Sequence, residues 1–372
     1  MRLELKNMNR ASISLKKLRH GVLALALLLT FSPQAFGQTS DCASKLLEAQ
    51  KEFSAGRIEL VHKLLRQCLQ NGGFNQGQQI QANKLLCLTS LYNNEVVEAE
   101  GYLLRFLQLN PEYKLNTAID PPEFVNIFQR FRHRPVLIWG VSIGAVRAFT
   151  VREQFYSLSA DPSQSTGEYS QQTGFSAMFE MEYYLSDLWA IHSGVGYQSN
   201  SYSYQQSDRF KIQGDYTGYS NLEFKQKQSS LVIPLQIQRN FGAPSRQFFS
   251  RLGGEYVFHI INKADVARTD HLGNIQANIE QAGINLNPLR RQHTARLNAS
   301  AGYRKKDWLG KGWVAVELGF SYGLWQENIA ENRYDNTQLI YEFGYIDPDY
   351  RRHQLWLKLA YYLPVYKPKL IK

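Results

Sequence analysis

Between Val136 and Tyr366 the chain alternates apolar and polar side chains in about eight separate runs, joined by gaps that are alternately short and long. A period of two gives each strand one apolar and one polar face. A sheet built from such strands must cover a continuous apolar surface and satisfy every backbone group. Closing on itself does both, with the apolar face turned to lipid and the polar face to a lumen. The pattern predicts an eight-stranded antiparallel transmembrane β-barrel over residues 136–366.

The parity of each run assigns its side chains. The small set Gly140, Ser142 and Gly144 faces the lumen opposite Trp139, Val141 and Ile143. Phe175, Ala177, Phe179, Met181 and Tyr183 point to lipid, which turns Glu180 and Glu182 inward. His192, Gly194 and Gly196 lie opposite Trp189, Ile191 and Val195, and Pro234 and Gln236 opposite Leu231, Ile233 and Leu235. A proline loses a ladder donor, so Pro234 predicts a bulge or a local opening. Arg251, Glu255 and His259 face Leu252, Tyr256 and Ile260 across the next strand, then Arg296, Asn298 and Arg304 face Leu297, Ala299 and Tyr303. Glu317 is inward between Val316 and Leu318, and Lys358 between Leu357 and Leu359. The runs exceed the roughly 9–11 residues a tilted strand needs to cross a bilayer. Longer gaps near 152–172, 204–220, 264–291 and 327–351 read as loops at one end of the barrel.

The first residues place the chain in the cell envelope. Lys16, Lys17, Arg19 and His20 precede an apolar stretch from Val22 to Phe31, and Ala35-Phe36-Gly37 has the small residues of a cleavage site. Residues 1–37 therefore read as a signal peptide, with no lipobox before Cys42. No later segment has about 18 consecutive apolar residues, which excludes a helical inner-membrane protein. The leader holds six Lys/Arg against Glu4, so the formal charge of +10 falls to +5 without it. That excess does not indicate nucleic acid. Arg290 and Arg291 read as solvated loop groups, with anionic lipopolysaccharide and outer-membrane lipid as the partner classes. The 22 Tyr and 20 Phe suit aromatic girdles at two membrane interfaces.

Residues 41–131 follow a helical period instead. Leu46, Leu47, Ala49 and Phe53 repeat at three- and four-residue steps, Gly56 interrupts, and Ile58, Val61, Leu64, Leu65 and Leu69 resume. A second pair follows, with Leu85, Leu88 and Tyr92, then an Asn93-Asn94 turn, then Val96, Ala99, Leu103, Phe106 and Leu107, closed by Asn110-Pro111. In Asp120-Pro121-Pro122-Glu123, Asp120 predicts a cap for a further helix with Val125, Ile127 and Phe128 facing inward. Ala99, Leu103, Phe106 and Pro111 match the second helix of tetratricopeptide (TPR) repeats, and Leu85, Leu88 and Tyr92 the first. The segment thus resembles that family, although Thr89 replaces its glycine. The resemblance implies a periplasmic protein-interaction module. Two units are fewer than the three usually needed for independent stability. The fold class is accordingly α+β multidomain, a TPR-like helical domain followed by the barrel.

Cys42 opens the first helix and Cys68 closes the second, so an antiparallel hairpin makes them neighbours and predicts a disulfide in an oxidising compartment. Cys87, among Leu85, Leu86 and Leu88, reads as a buried free thiol. No Cys/His spacing suggests a metal, and no motif suggests a cofactor.

Inside the barrel, parity gathers Glu180, Glu182, Glu255 and Glu317 with Arg251, Arg296 and Lys358. An eight-stranded barrel is just wide enough for side chains to fill, so these charges predict an ion-paired plug. A narrow gated pore is the alternative. Asp270-His271, His293 and His353 fall in or beside loops, but nothing in the sequence sets a nucleophile beside a base, so no enzymatic activity is expected. Leu231-Val232-Ile233-Pro234-Leu235, Gly253-Gly254-Glu255-Tyr256, Ala301-Gly302-Tyr303 and Leu359-Ala360-Tyr361-Tyr362 resemble the PorT-like outer-membrane barrels of Bacteroidota. That resemblance implies a component of a secretion, gliding or barrel-assembly machine. Lys367 to Lys372 trail past the last aromatic residue, unlike the family's terminus.

Overall fold

The computed structural model describes residues 39–132, 134–156, 158, 167–212, 218–243, 245–310 and 312–371. The signal peptide read at 1–37 lies outside them. The chain divides into two compact units, one within Met1–Phe131 that also takes in Leu370–Lys372, the other Arg132–Lys369.

The first unit is helical: α1 Thr39–Ser54, α2 Ile58–Gln70, α3 Gln76–Tyr92, α4 Val96–Leu109 and α5 Pro122–Gln129. Gly56 takes a positive φ of 76° and Asn94 one of 61°, turning the chain between paired helices. Asn75 starts α3 with a capping box, its side chain accepting from the Gln78 amide while the Gln78 side chain accepts from Asn75. Leu46, Ala49, Val61 and Leu65 form one core with both cysteines of the first pair. Leu103, Phe106, Leu107, Phe124, Ile127 and Phe128 form a second. Three residues expected in the apolar stripes, Leu47, Tyr92 and Val96, lie outside these cores. Leu47 is 67% and Tyr92 56% exposed. Leu47 follows Leu46 by one residue, about 100° around the helix, and cannot share its face.

Asp120 does not cap α5. Pro121 holds the N-cap position without a side-chain bond, and Asp120 is buried beside it. Its carboxylate accepts from Lys84 Nζ (2.7 Å), Tyr113 Oη (2.7 Å) and the Asn116 amide (2.8 Å). Phe124 is buried on α5 and Val125 only partly, so the inward face starts one residue earlier than expected. The chain past Tyr366 returns to the helical unit's own core. Leu370 packs on the second core, and the Ile371 amide donates to the Arg130 carbonyl at 2.7 Å.

The second unit has eight principal strands: β1 Pro135–Gln154, β2 Thr173–Tyr184, β3 Trp189–Ile212, β4 Gly218–Ala243, β5 Arg246–Leu272, β6 His293–Lys306, β7 Trp313–Gly323 and β8 Asp349–Tyr366. Each pairs antiparallel with its chain neighbours, and β8 pairs with β1 from Asp349 opposite Gln154 to Tyr366 opposite Pro135, so the pairings form a ring. Exposure alternates along the strands as period two requires, and one residue in two is buried along β2 from Phe175 to Tyr184.

Pro234 makes a local opening and no bulge. The β3–β4 ladder keeps its register but skips from Ser193–Leu235 to Gly196–Val232. The Ser193 hydroxyl donates to the Pro234 carbonyl there, at 2.9 Å. The bulge of this region lies instead at Ser229/Ser230, opposite β5, where Ile260 and Ile261 are both exposed and the parity reverses.

The ring has a short-turn end, at 185–188, 245 and 307–310, and a long-connection end. Two stretches expected as loops are largely strand. β3, β4 and β5 run 24, 26 and 27 residues, far beyond a membrane crossing, and Ile275–Asn285 adds a further strand on the outer part of β5. The 324–348 connection, also expected as a loop, folds inward. Its Leu339, Phe343 and Tyr345 join Tyr202, Tyr204, Leu222, Phe224 and Ile284 in an apolar core.

Candidate functional site: the filled interior

Parity turns a column of side chains inward from every strand, and these fill the tube in successive layers. Nearest the short-turn end, Ile138, Tyr184, Phe249, Trp313 and Tyr362 form an apolar layer. Beyond it Arg251 bridges two carboxylates, with Nη2 at 2.7 Å from Glu182 and Nη1 at 2.7 Å from Glu317. Arg304 Nη1 holds the second Glu182 oxygen at 2.6 Å. Glu180 accepts from Ser142 (2.8 Å), from Tyr362 and from Lys358 (3.4 Å), with His192 Nε2 also 3.4 Å away. Arg251 lies over the Phe249 ring and Arg304 over Trp313, at 4.6 and 4.4 Å. Three carboxylates thus meet three permanent cations, and burial without that balance would cost several kcal/mol per ion.

The next layer pairs Arg296 with Glu255 at 3.0 Å, with Asn298 donating to the other Glu255 oxygen at 2.8 Å. A cavity of about 20 Å³ lies here, lined by Ser176, Gln198, Glu255, Gln354 and Lys358 among others. It has room for about one water and none for a solute.

Toward the long-connection end lies a second charged set, which the strand alternation does not reveal. Glu327 accepts from Gln228 at 2.9 Å beside Arg352, and Arg290 grips Asp347 with two bonds of 2.6 and 2.9 Å. Arg333 pairs with Asp349, which also accepts from Asn328 at 2.6 Å. Arg290 is therefore no solvated loop group facing lipopolysaccharide. It is 1% exposed. The β-parity of 136–366 could not show this, because Glu327, Arg333 and Asp347 come from the irregular 324–348 connection.

All seven charges assigned inward, Glu180, Glu182, Arg251, Glu255, Arg296, Glu317 and Lys358, face the interior and take part in the two lower layers. His192 and Arg304 join them. The Cys42–Cys68 disulfide is present, with Cα atoms 5.7 Å apart, and Cys87 is a buried free thiol whose pKa burial pushes up to about 12.

The rim histidines are occupied with aromatic neighbours. His271 stacks on Tyr219 and His353 on Tyr322, each at 4.5 Å, and His293 bonds Tyr256. Asp270 pairs with Arg268 at 2.8 Å. A serine does meet a histidine inside: Ser230 Oγ is 2.7 Å from His259 Nδ1, with Glu327 3.9 Å from Nε2. Ser230 and His259 are 1% and 2% exposed beneath the 324–348 connection. A nucleophile needs a route for its substrate, so this contact reads as part of the packing.

These features define a class: an antiparallel eight-stranded β-barrel with an apolar outer face and an interior closed by compensated charge. No protein-family model matches the chain, and no curated relative does. Among solved structures it is similar to Ail, the attachment invasion locus protein of Yersinia pestis, at 10% identity over 61% of this chain and 98% of that one, with a TM-score of 0.20. The outer membrane protein OprG from Pseudomonas aeruginosa aligns at 8% identity over 62% and 94%, TM-score 0.34. Neisserial surface protein A aligns at 10% over 60% and 95%, TM-score 0.24. Likeness of this degree carries no functional argument, and the fold rests on the strand pairings.

Proposed function

We propose that this chain is an outer-membrane β-barrel that anchors a periplasmic TPR-like interaction module, residues 41–131, within an envelope machine for secretion, gliding or barrel assembly. The observation that carries the reading is the contrast between the two faces of the ring. Outside, Leu252, Leu318, Leu357 and Ile143 are 69, 53, 51 and 65% exposed, an apolar surface that water would not tolerate over a whole sheet. Aromatic residues flank this belt, with Tyr183, Trp189, Phe241 and Phe248 toward the short-turn end and Phe175, Tyr197, Tyr256 and Tyr322 toward the other, as membrane interfaces favour. Inside, ion pairs and aromatic layers fill the bore among the described residues, which supports an anchor over a channel.

The helical unit supports the other half of the proposal. It presents Leu47, Val96 and Val97 outside both of its cores, and Tyr92 rests on Phe53 with one face open. The resemblance to PorT-like barrels points to the same setting. Affinity purification from mild detergent, comparing the intact chain with one lacking residues 41–131, tests it. Partners that co-purify with the intact chain are expected to vanish with the deletion. Equal recovery of the same partners from both would sink the module's role.

A further inference from the structure

Outside the barrel, the helical unit carries a cluster that the anchoring role does not use. His62 on α2, Glu95 at the N-cap of α4 and Glu98 in the first turn of α4 bring one imidazole and two carboxylates together, their ligand atoms all within 4.8 Å of one another. Neither glutamate makes an ion pair among the described residues, although Arg57, Lys45 and Arg130 each find a carboxylate elsewhere in the unit. Two carboxylates held this close repel one another, and a divalent cation relieves that repulsion. The imidazole is braced: Ser90 Oγ, itself fully buried on α3, is 3.4 Å from His62 Nε2, and the Tyr102 ring of α4 lies 5.8 Å away. Such outer contacts orient a ligating histidine.

The geometry points to a site for a first-row divalent metal, Zn²⁺ foremost, held by His62, Glu95 and Glu98 and linking the first helix pair to the second. One imidazole nitrogen with two carboxylate oxygens suits zinc, with a fourth position for water, whereas an imidazole is a poor ligand for Mg²⁺ or Ca²⁺. Tetrahedral metal–ligand bonds of about 2.1 Å place ligand atoms about 3.4 Å apart, so from a spacing of up to 4.8 Å a glutamate closes by up to about 1.4 Å on binding. Both glutamates are exposed and free to turn. The link would also serve a physical need. Two helix pairs are fewer than a repeat array requires, and a metal across α2 and α4 ties them where the Cys42–Cys68 bridge, within the first pair, does not. This inference concerns the helical unit alone and does not depend on the barrel or its partners.

Calorimetric titration of ZnCl₂ into the full chain in detergent, paired with the thermal midpoint of its helical signal, tests the site. One Zn²⁺ per chain and a raised midpoint are expected, with affinity at least ~10-fold weaker in His62→Ala and in Glu98→Gln, since even outer-sphere changes cost about 10–100-fold. Glu98→Gln is exposed and near-isosteric, so it separates lost ligation from lost folding. Zinc binding of equal affinity in both variants would overturn the site, as would no binding at ~1 mM. Equal competition by Mg²⁺ would overturn the metal class.

Discussion

Arg251 shows how one side chain can hold a barrel's interior together. Its guanidinium is fully buried and serves Glu182 and Glu317 together, with Nε donating to Gln238 at 2.7 Å. Removing it leaves Glu317 buried without a cation partner among the described residues and Glu182 with Arg304 alone. Arg251→Ala is expected to lower stability by about 3–5 kcal/mol, read as the urea midpoint of tryptophan fluorescence in detergent, and a loss under ~1 kcal/mol would refute the pairing. In the helical unit Asp120 has the corresponding place. Burial raises its carboxyl pKa, but bonds from Lys84, the Asn116 amide and Tyr113 outweigh this and hold it below the usual carboxylate range. A depressed folded pKa contributes stability above the unfolded value of about 3.9, lost as pH falls through the folded one. The helical signal should therefore melt at lower temperature in acid below about pH 4. Asp120→Asn should lower the neutral-pH midpoint and remove that part of the acid dependence, and an unchanged acid limb would count against it.

At the scale of the element, the α1–α2 hairpin depends on its covalent tie. Cys42 and Cys68 are separated by 26 residues, and closing a loop of that size contributes roughly 2–4 kcal/mol by restricting the unfolded chain. The double substitution C42A/C68A is expected to lower the helical unit's stability by that amount, visible as faster tryptic cleavage within residues 41–70. Equal cleavage of both proteins would show that packing alone suffices. Gly73 belongs to the same element, since a Cβ there would come within 2.6 Å of Cys42 Sγ. The long strands show a different control. β3, β4 and β5 continue past any membrane crossing because Tyr202, Leu222, Phe224, Ala264 and Val266 turn inward onto Leu339, Phe343 and Tyr345, giving the protruding sheet a core of its own.

For the whole molecule, the interior closes in independent layers. The apolar layer at the short-turn end, the Arg251 set, the Arg296–Glu255 pair and the Arg290–Asp347 set each occupy the bore. No steady current is expected across planar bilayers from the intact chain. Removing residues 331–345 should lower stability yet still give no steady current, because the lower layers remain. Regular single-channel steps from the intact protein would favour a pore.

Much of this was legible in the chain. Period two in strands such as β7 and β8 determined which side chains face in, because each strand has only two faces and one apolar set. The cysteine pairing followed from a hairpin's ends being neighbours. What the tertiary structure alone decided lies where no period operates. The 324–348 connection carries no alternation, so its delivery of Glu327 and Asp347 to Arg352 and Arg290 depends on contacts across the ring. Asp120 reads locally as a helix cap, and a lysine 36 residues earlier claims it. His62, Glu95 and Glu98 meet only because α2 and α4 both pack on α3, which brings His62 beside Tyr102. Local pattern specifies a side chain's direction, whereas its partner depends on which distant segment packs against it.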